Sequence, residues 1–385
     1  MRHWSARRAL VGALAAAFAV LGVCVAPASG AAGVYVPVVH GGALRSYRLY
    51  VPSALPAGPV PLVVALHGLT GAASSFAGTS RLDDLADLHG FVVVYPEGLS
   101  KSWNAGTCCG DSAANDVDDV GFLAQVVTQV SLTLPVDRSR VYAVGFSNGG
   151  MMALRAACEL PDLFAAVASV NGAGVSPCVP SRPVSVLQVS GGRDALIPYR
   201  GTAWMTPLKS PIPATPVVAG GWERANRCSG LPAHTHTQAA EIRSYDSCAG
   251  GTSARVVVLP RNGHTWPRGA SEGWDATTEV WRFFASRPGA SGARAAFDPP
   301  APVLTTRIVA TRRRDRVAGL LDGRFDVVLG RRVAVDVWRG GRWITVGAVT
   351  TDVEGRFHFV SPGGSARLRL RYAGAPGLPS SAVLA

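Results

Sequence analysis

Short, almost entirely apolar runs alternate with longer amphipathic stretches between residues 61 and 286. A short apolar run is typical of a parallel strand buried on both faces, and a 3.6-residue apolar period is typical of a helix. The predicted strands are Pro61–His67, Phe91–Tyr95, Arg140–Phe146, Val184–Ser190 and Arg255–Pro260. The predicted helices are Ser74–His89, Asp118–Thr133, Asn148–Leu160 and Glu272–Ser286. This alternation predicts an α/β fold with a doubly wound, mostly parallel sheet.

The regions flanking this core have different patterns. Two extended runs, Gly33–Val39 and Ser46–Val51, predict antiparallel strands at the sheet edge. Residues 287–302 are rich in Gly, Ala and Pro without periodicity, which predicts a linker. Beyond it, short alternating runs are separated by Gly-containing turns. We therefore predict an α/β domain over 33–286 and a small immunoglobulin-like β-sandwich over 303–385.

The first 32 residues have the pattern of an export signal. Three arginines precede an apolar run from Ala9 to Val25, and the small residues APASGAAG follow. A basic start, an apolar segment and an A-x-A site are typical of a secretory signal peptide. The alternative is a retained membrane anchor, since the run is nearly long enough to span a bilayer. We favour cleavage and secretion.

The net charge is unevenly distributed. The chain has a formal charge of +12, from 37 Lys+Arg against 25 Asp+Glu. Residues 301–385 hold 14 Arg and 6 acidic residues, whereas residues 33–300 hold 20 basic and 19 acidic residues. A nucleic-acid enzyme would place its positive charge around the active site. Nucleic acid is therefore not an expected partner. The basic C-terminal module is a candidate for binding anionic cell envelope or polysaccharide, and a spacer without a binding role is the alternative.

Six cysteines follow the predicted signal. An even number in an exported chain predicts disulfides, although six cysteines allow fifteen pairings. Cys228 and Cys248 bracket a short segment without another cysteine, so we predict that they pair. The remaining pairings stay open, and some cysteines could be buried free thiols. The spacings do not resemble a zinc site, and no metal is predicted.

Residues 140–150 read RVYAVGFSNGG and contain a G-x-S-x-G motif centred on Ser147. The bare motif is a weak signal in a chain with 44 Gly, but here an apolar strand ends at Phe146 and a helix begins at once. Such a strand-to-helix turn exposes the nucleophilic serine of α/β-hydrolases, and the helix N-terminus directs N–H groups at the developing oxyanion. Ser147 is the predicted nucleophile.

A serine nucleophile needs a histidine base, and in this fold that base follows a late strand. His264 lies in the turn RNGHTWP directly after the apolar run RVVVLP. His234 and His236 lie in the polar stretch PAHTHTQ, which predicts a solvated loop. We therefore predict His264 as the general base.

The acid that orients the base should lie between the nucleophile and the histidine. Asp194 comes just after the apolar run VSVLQVS and is the predicted acid. Glu223, Glu241 and Asp246 also satisfy the order, but none follows a buried strand so directly.

The oxyanion hole should combine the N–H of Asn148 with one from the loop after an early strand. That loop is HGLTG, where Leu69 is the first choice for the donor and Thr70 the second. His67 is expected to brace the loop through hydrogen bonds. The expected reaction is a two-step acyl transfer that needs neither metal nor cofactor.

Several motifs occur in order across residues 60–275: HGLTG, SWNAGTCCG followed by VDDVGFL, GFSNGGMM, GGRDALIPY and NGHTWP. This set resembles the secreted polyhydroxybutyrate-depolymerase-like esterases, relatives of the feruloyl and acetylxylan esterases of carbohydrate esterase family 1. The resemblance implies the same triad of Ser147, Asp194 and His264. It also implies that the Trp103–Asn104 loop borders the substrate cleft. Two departures are the Gly-Gly-Arg before Asp194 and the leucine at position 69.

The substrate is expected to be an uncharged ester: a plant-wall phenolic or acetyl ester, or a short polyester. Trp103 and Trp266 lie in loops where the binding surface of such sheets is found, so they are candidate substrate contacts, with core packing as the alternative. One competing function is a serine peptidase, because the same fold hosts both chemistries. The other is an inactive surface-binding protein, against which the complete set of candidate catalytic residues argues.

Overall fold

The computed structural model describes residues 33–176, 179–269 and 273–287, and the C-terminal segments 306–313, 316–323, 332–339, 342–350, 356–360, 367–372 and 381–384. The predicted signal of residues 1–32 lies outside the described residues, as does Cys178. The predicted linker also lies outside them, apart from Arg287.

The elements of the α/β part follow the predicted alternation. Its strands are β1 (Val34–His40), β2 (Ala43–Tyr50), β3 (Val60–Leu66), β4 (Val92–Pro96), β5 (Val136–Phe146), β6 (Ala166–Val170), β7 (Ser185–Gly191), β8 (Thr202–Met205), β9 (Ser210–Ile212), β10 (Ala233–His236), β11 (Glu241–Tyr245) and β12 (Ala254–Leu259). Its helices are α1 (Ala73–Ser80), α2 (Leu82–His89), α3 (Gly110–Ala114), α4 (Asp119–Thr133), α5 (Asn148–Glu159), α6 (Thr215–Ala225) and α7 (Ala276–Ala285).

Ten of these strands form one sheet in the order β1-β2-β4-β3-β5-β6-β7-β12-β11-β10. The central strands from β4 to β12 pair in parallel, and the edge strands at both sides pair antiparallel. The predicted mostly parallel sheet and its antiparallel leading edge are therefore confirmed. The chain moves from β3 outward to β4 and then returns to place β5 on the other side of β3. Ligands bind beside such a reversal, at the carboxyl ends of the strands.

Helices cover both faces of the sheet. Helices α4, α5 and α6 contribute to one apolar cluster, and α1, α2 and α7 contribute to the other. Every residue of β3 and β4 is buried, which explains why these strands are continuous apolar runs without alternation. Two packed layers of helix thus hold the sheet rigid beneath its carboxyl-terminal loops.

Several local predictions differ from the structure. His234 and His236, predicted to lie in a solvated loop, are exposed residues of the edge strand β10, which pairs with β11. The stretch predicted as one helix over Ser74–His89 is two helices, because Arg81 between them has φ 53°. The sequence pattern missed β6, whose residues AVASV are short and small, so that its apolar signal is weak. It also missed α6, which begins with a Thr-Pro pair and contains two glycines. Both elements lie beside the candidate site.

The C-terminal region contains β13 (Thr306–Arg313), β14 (Arg316–Gly323), β15 (Arg332–Arg339), β16 (Arg342–Thr350), β17 (Arg356–Val360), β18 (Leu368–Tyr372) and β19 (Ser381–Leu384). They form two antiparallel sheets, ordered β13-β14-β17 and β16-β15-β18-β19. The predicted all-β character is thus present, and the immunoglobulin-like arrangement stays a prediction. In the part of the chain that is described, no helix is long and apolar enough to cross a membrane.

Candidate active site

Ser147 lies on the sharp turn between β5 and α5, where its backbone has φ 55° and ψ −121°. Non-glycine residues rarely adopt a positive φ, and the strain persists only where the surrounding structure enforces it. A Cβ at Gly145 would lie 2.1 Å from the Gly149 backbone, and a Cβ at Gly149 would lie 2.3 Å from the Leu66 carbonyl oxygen. The two glycines of the motif are therefore required sterically by the turn.

The imidazole of His264 bridges the serine and an aspartate. Its Nε2 lies 2.9 Å from the Ser147 Oγ, and its Nδ1 lies 2.7 Å from the Asp194 Oδ2. These distances are within the range of good hydrogen bonds. With Nδ1 protonated toward the carboxylate, Nε2 is the acceptor that a general base needs. The structure thus brings together all three residues that the sequence predicts as a triad.

The carboxylate of Asp194 is held by the backbone of its own turn. Its Oδ1 accepts hydrogen bonds from the N–H groups of Leu196 and Ile197, at 2.9 and 2.8 Å. The side chain is fully buried, whereas the His264 side chain is 20% exposed. The acid is therefore fixed in orientation and shielded from water, and the base remains accessible.

The alternative acids lie elsewhere. The Glu223 carboxylate forms an ion pair with Arg243 at 2.5 Å, and Asp246 accepts a hydrogen bond from the Ser253 hydroxyl at 3.0 Å. Glu241 is an exposed residue of β11 and faces His236 across the strand pair. These three carboxylates thus have other neighbours, and the carboxylate that bonds to His264 is that of Asp194.

The loop after β3 lies beside Ser147. A Cβ at Gly68 would lie 3.4 Å from the Ser147 Cβ. The Thr70 N–H donates to the Lys101 carbonyl oxygen at 2.8 Å, which removes the second-choice oxyanion donor. Among the described residues, the backbone N–H groups of Leu69 and Asn148 have no protein acceptor. These two groups therefore remain available to a ligand.

His67 braces this loop, as the sequence predicts. Its Nδ1 lies 2.8 Å from the Gly68 carbonyl oxygen, and its Nε2 accepts the Gly98 N–H at 3.0 Å. The ring must therefore be the neutral tautomer with the proton on Nδ1. Burial lowers the pKa of the His67 imidazole, and the nearby Arg45 charge lowers it further. A neutral imidazole thus ties the loop after β3 to the loop after β4.

Asn148 contributes its side chain as well as its backbone. The amide oxygen accepts the Trp103 N–H at 2.8 Å, and the amide nitrogen donates to the Trp103 carbonyl oxygen at 3.0 Å. The Trp103 indole is fully buried, and its Nε1–H donates to the His67 carbonyl oxygen at 2.9 Å. Trp103 therefore packs beneath the loops of the site.

A buried ion pair supports the same loop from below. The Arg45 guanidinium lies 2.7 Å from the Asp119 carboxylate and 3.6 Å from the centre of the Phe122 ring. Asp119 also accepts the Asn104 N–H at 2.7 Å. Burial raises the pKa of Asp119 and lowers that of Arg45, and in both cases it outweighs the attraction of the partner. A buried ion pair, which is costly to desolvate, thus holds the backbone of Asn104, the residue after Trp103.

Trp266 follows the His264 loop and is also buried. Its Nε1–H donates to the Thr277 hydroxyl at 3.0 Å, and its ring contacts Phe76 edge-on. Substrate contact by Trp103 or Trp266 stays a prediction, which their burial does not favour.

Two cavities lie close to the site. An apolar cavity of about 560 Å³ between α5 and α6 is lined by residues that include Met151, Leu154, Val175 and Trp222. A more polar cleft of about 670 Å³ is lined by residues that include Arg261, Trp274 and the two neighbours of His264 in the chain, Gly263 and Thr265. In the described segments, no three His, Cys, Asp or Glu residues are grouped so as to hold a metal ion.

The predicted disulfide between Cys228 and Cys248 is present, with an S–S distance of 2.01 Å. Cys108 and Cys109 are bonded to each other, a pairing that the sequence left open. Cys158 is also disulfide-bonded. These five cysteines are therefore not the free thiols considered as the alternative.

Sequence reasoning missed Arg45, described above, and also Asn171, which contacts two loops of the site. It follows β6, which the sequence pattern did not detect, and its side-chain amide bonds to both the Asp194 turn and the His264 loop. A single asparagine after a strand matches no sequence motif. Asn171 could have been identified as a candidate only if the strand before it, β6, had been predicted.

A large, mostly parallel sheet with a serine on the turn after a central strand defines an α/β-hydrolase-like fold. The family described as "Esterase PHB depolymerase" matches residues 45–190. This range contains the loop after β3, the Trp103 loop and Ser147. The chain belongs to this family of esterases.

Relatives with esterase names cover much of the same region. The chain is 36% identical over 254 residues to NocK of Nocardia uniformis subsp. tsuyamanensis, named as an esterase, and the match covers 60% of this chain and 73% of NocK. It is 29% identical to feruloyl esterase B of Piromyces equi, over 56% of this chain and 41% of that protein. A solved acetyl xylan esterase from Aspergillus awamori is 17% identical, with a TM-score of 0.46 over 63% of this chain and 94% of that one.

Proposed function

We propose that this esterase is a secreted carboxylic-ester hydrolase that works through a Ser147–His264–Asp194 acyl-enzyme mechanism. The observation that carries the proposal is a chain of two hydrogen bonds, called the relay below. The Ser147 Oγ lies 2.9 Å from the His264 Nε2, and the His264 Nδ1 lies 2.7 Å from the Asp194 carboxylate. The relay ends on a serine with φ 55° at the N-terminus of α5. This combination supplies a nucleophile, its base and an orienting acid at one point.

The reaction follows from this arrangement. His264 Nε2 takes the Ser147 Oγ proton as Oγ attacks the ester carbonyl carbon, and the negative oxygen is held by the N–H groups of Leu69 and Asn148. The C–O bond to the alcohol then breaks, and the alcohol leaves with the proton from His264. Water, deprotonated by His264, hydrolyses the acyl-enzyme and restores Ser147. Asp194 stabilises the imidazolium in both steps.

The test compares wild type with Ser147→Ala on p-nitrophenyl butyrate. We expect kcat to fall by about 10⁶-fold, toward the level that binding and the oxyanion hole alone support. Ser185→Ala is the matched control, because Ser185 is also buried and accepts the Ser253 N–H at the opposite end of the sheet. This control should keep wild-type turnover. Equal turnover of Ser147→Ala and wild type would exclude the mechanism.

The ester type is tested on a panel: methyl ferulate, acetylated xylan, polyhydroxybutyrate and a peptide amide. The apolar cavity between α5 and α6 is a candidate site for an apolar part of the ester, because α5 begins directly after Ser147. The named activities of the relatives lead us to expect turnover of at least one of the first three. Hydrolysis of only the peptide amide would favour a serine peptidase. Absence of any turnover would favour a surface-binding protein.

Secretion is supported by the signal-like start of the chain and by the disulfides of the described region. Detection of the mature protein outside the producing cell, with an N-terminus near residues 28–32, is the expected result. A protein retained in the membrane with residues 1–25 intact would support the anchor.

Binding of anionic polymer by the C-terminal module rests on its 14 arginines. Some of this charge is used internally: Arg369 and Arg371 both pair with the buried Asp336, at 2.9 and 2.5 Å, which holds the pKa of that carboxyl well below its usual range. We expect the full chain to be retained on an anionic matrix, and the triple variant Arg312→Gln/Arg313→Gln/Arg316→Gln to elute at lower salt. Identical elution would contradict this role.

A further inference from the structure

The residue that follows β6, Asn171, lies where three loops of the candidate site meet. It is 2% exposed and has φ 50°. Its backbone N–H donates to the Val189 carbonyl oxygen of β7 at 2.8 Å, and the preceding residue, Val170, accepts the Ser147 N–H at 2.9 Å. The backbone around Asn171 thus joins the nucleophile turn to the strand that leads to Asp194.

The side chain of Asn171 bonds to both of the other loops. Its Oδ1 accepts the N–H of Gly191, the residue from which the Asp194 turn departs, at 2.8 Å. Its Nδ2 donates to the carbonyl oxygens of Thr265 at 2.7 Å and Gly263 at 3.3 Å. These two residues flank His264 on either side. One amide therefore bonds to the residue that begins the Asp194 turn and to the residues directly before and after His264.

Asparagine is well suited to this position. The contacts require one acceptor and two donor hydrogens on a short side chain, a combination that a carboxylate or a hydroxyl does not provide. Asparagine also tolerates a positive φ better than most residues do. The amide cannot be reversed here, because its nitrogen must face the two carbonyl groups and its oxygen must face the N–H.

We infer that Asn171 is a positioning residue, whose amide holds the His264 loop and the Asp194 turn at the separation that the relay needs. The inference rests on the proposed Ser147–His264–Asp194 mechanism. His264 and Asp194 come from loops after two different strands. Two backbone hydrogen bonds join the starts of these loops, from the Gly192 N–H to the Leu259 carbonyl oxygen and from the Arg193 N–H to the Asn262 carbonyl oxygen. The Asn171 amide adds the bonds to the two residues on either side of His264. A displacement of about 1 Å in such a site can cost about 10²-fold in rate, although no chemical group is lost.

The opposite end of β7 offers a matched control. Asn226 is fully buried, its Oδ1 accepts the Val184 N–H at 3.0 Å, and its Nδ2 donates to the Val184 carbonyl oxygen at 2.7 Å. Asn226 thus joins the end of α6 to the residue before β7, whereas Asn171 joins the end of β6 to the last residue of β7. Only the end of β7 leads to a site residue.

The experiment measures kcat, KM and Tm for three variants with p-nitrophenyl butyrate. Asn171→Gly removes the amide while keeping the positive φ, Asn171→Asp keeps the shape but places oxygen against two carbonyl groups, and Asn226→Ala is the control. We expect kcat to fall about 10²-fold in both Asn171 variants with KM within about threefold of wild type. Asn226→Ala should lower Tm by about as much as the Asn171 variants do, but its kcat should stay within about threefold of the wild-type value.

Either of two results would overturn the inference: wild-type kcat in Asn171→Gly, or equal losses of kcat in Asn171→Gly and Asn226→Ala. The second result would assign both amides to general stability. Ser147→Ala is measured beside them. If that variant hydrolyses the ester as wild type does, the proposed mechanism itself fails, and this outcome is distinct from a failure of the Asn171 variants.

Discussion

On one side of the candidate site, the loop that carries Trp103 is anchored to a buried charge; on the other, the loop that carries His264 is anchored to a neutral amide. The oxyanion side comprises residues 67–71 and 98–109 with the Arg45–Asp119 pair beneath them. The base side comprises residues 191–197 and 260–266 with Asn171 between them. The two supports differ in what their removal leaves behind.

Removing one partner of a buried ion pair leaves an uncompensated charge, which destabilises the whole fold. Removing a neutral amide leaves unpaired backbone groups at a smaller cost, and these groups can shift. We therefore expect mutations on the oxyanion side to appear mainly as lost stability. Mutations on the base side should appear mainly as lost turnover.

Of the variants that compare the two sides, Asp194→Asn on the base side should have the largest effect. The neutral amide still accepts the two N–H groups of its turn but no longer stabilises the imidazolium, so kcat should fall by about 10⁴-fold with little change in Tm. Asp246→Asn is the control, because that residue satisfies the chain order of the acid but bonds to Ser253. Its kcat should stay within about threefold of wild type. A loss of less than tenfold in Asp194→Asn would remove Asp194 from the relay.

The oxyanion side is tested by Asp119→Ala. The variant leaves Arg45 buried without its carboxylate, so the free energy of unfolding should fall by about 3–5 kcal/mol in urea titrations. The control is Asp84→Ala, which breaks an ion pair with Arg81 whose side chains are 64% and 67% exposed. Such an exposed pair contributes at most about 1 kcal/mol. Equal losses in the two variants would contradict the proposed difference between the supports.

A third variant acts on neither support. The disulfide Cys228–Cys248 closes a loop with a sequence separation of 20 at the end of α6. Replacing both cysteines by serine should lower the free energy of unfolding by about 3 kcal/mol, mostly by releasing the unfolded chain. Turnover of the folded protein at 25 °C should not change. A fall in kcat would show that stability and turnover are not separable in the way that the comparison requires.

The smallest effect concerns the pH dependence of stability on the oxyanion side. Burial lowers the pKa of His67 from its usual 6.5, so the folded protein holds this imidazole neutral while the unfolded chain takes up a proton below that pH. The stability that neutral His67 supports is therefore present above pH 6.5 and is lost as the pH falls. The slope that this one proton adds is at most about 1.4 kcal/mol per pH unit.

The measurement is the free energy of unfolding between pH 7.5 and 5 for wild type and His67→Gln. The variant should lose less stability across this range, because one proton fewer is taken up on unfolding. Identical slopes for wild type and His67→Gln would show that His67 is not held neutral.

The sequence predicted the parts of this molecule that depend on local pattern. The all-apolar runs identified β3, β4, β5, β7 and β12, because strands buried on both faces exclude polar residues. The order of loops after those strands was enough to select Ser147, Asp194 and His264, which the structure brings within hydrogen-bond distance of one another. The short strand β6 escaped detection, because two of its five residues are alanine and one is serine.

By itself, then, the sequence determined the α/β architecture, the family and the candidate relay. The architecture and the family follow from patterns of residues that are close together in the chain, and the relay follows from the order of loops along it. Only the tertiary structure decided what holds the relay in place. Arg45 meets Asp119, and Asn171 meets Thr265, across long separations in the chain. No periodicity or motif encodes such pairs, because a buried polar group is satisfied by whatever partner the completed fold brings within reach.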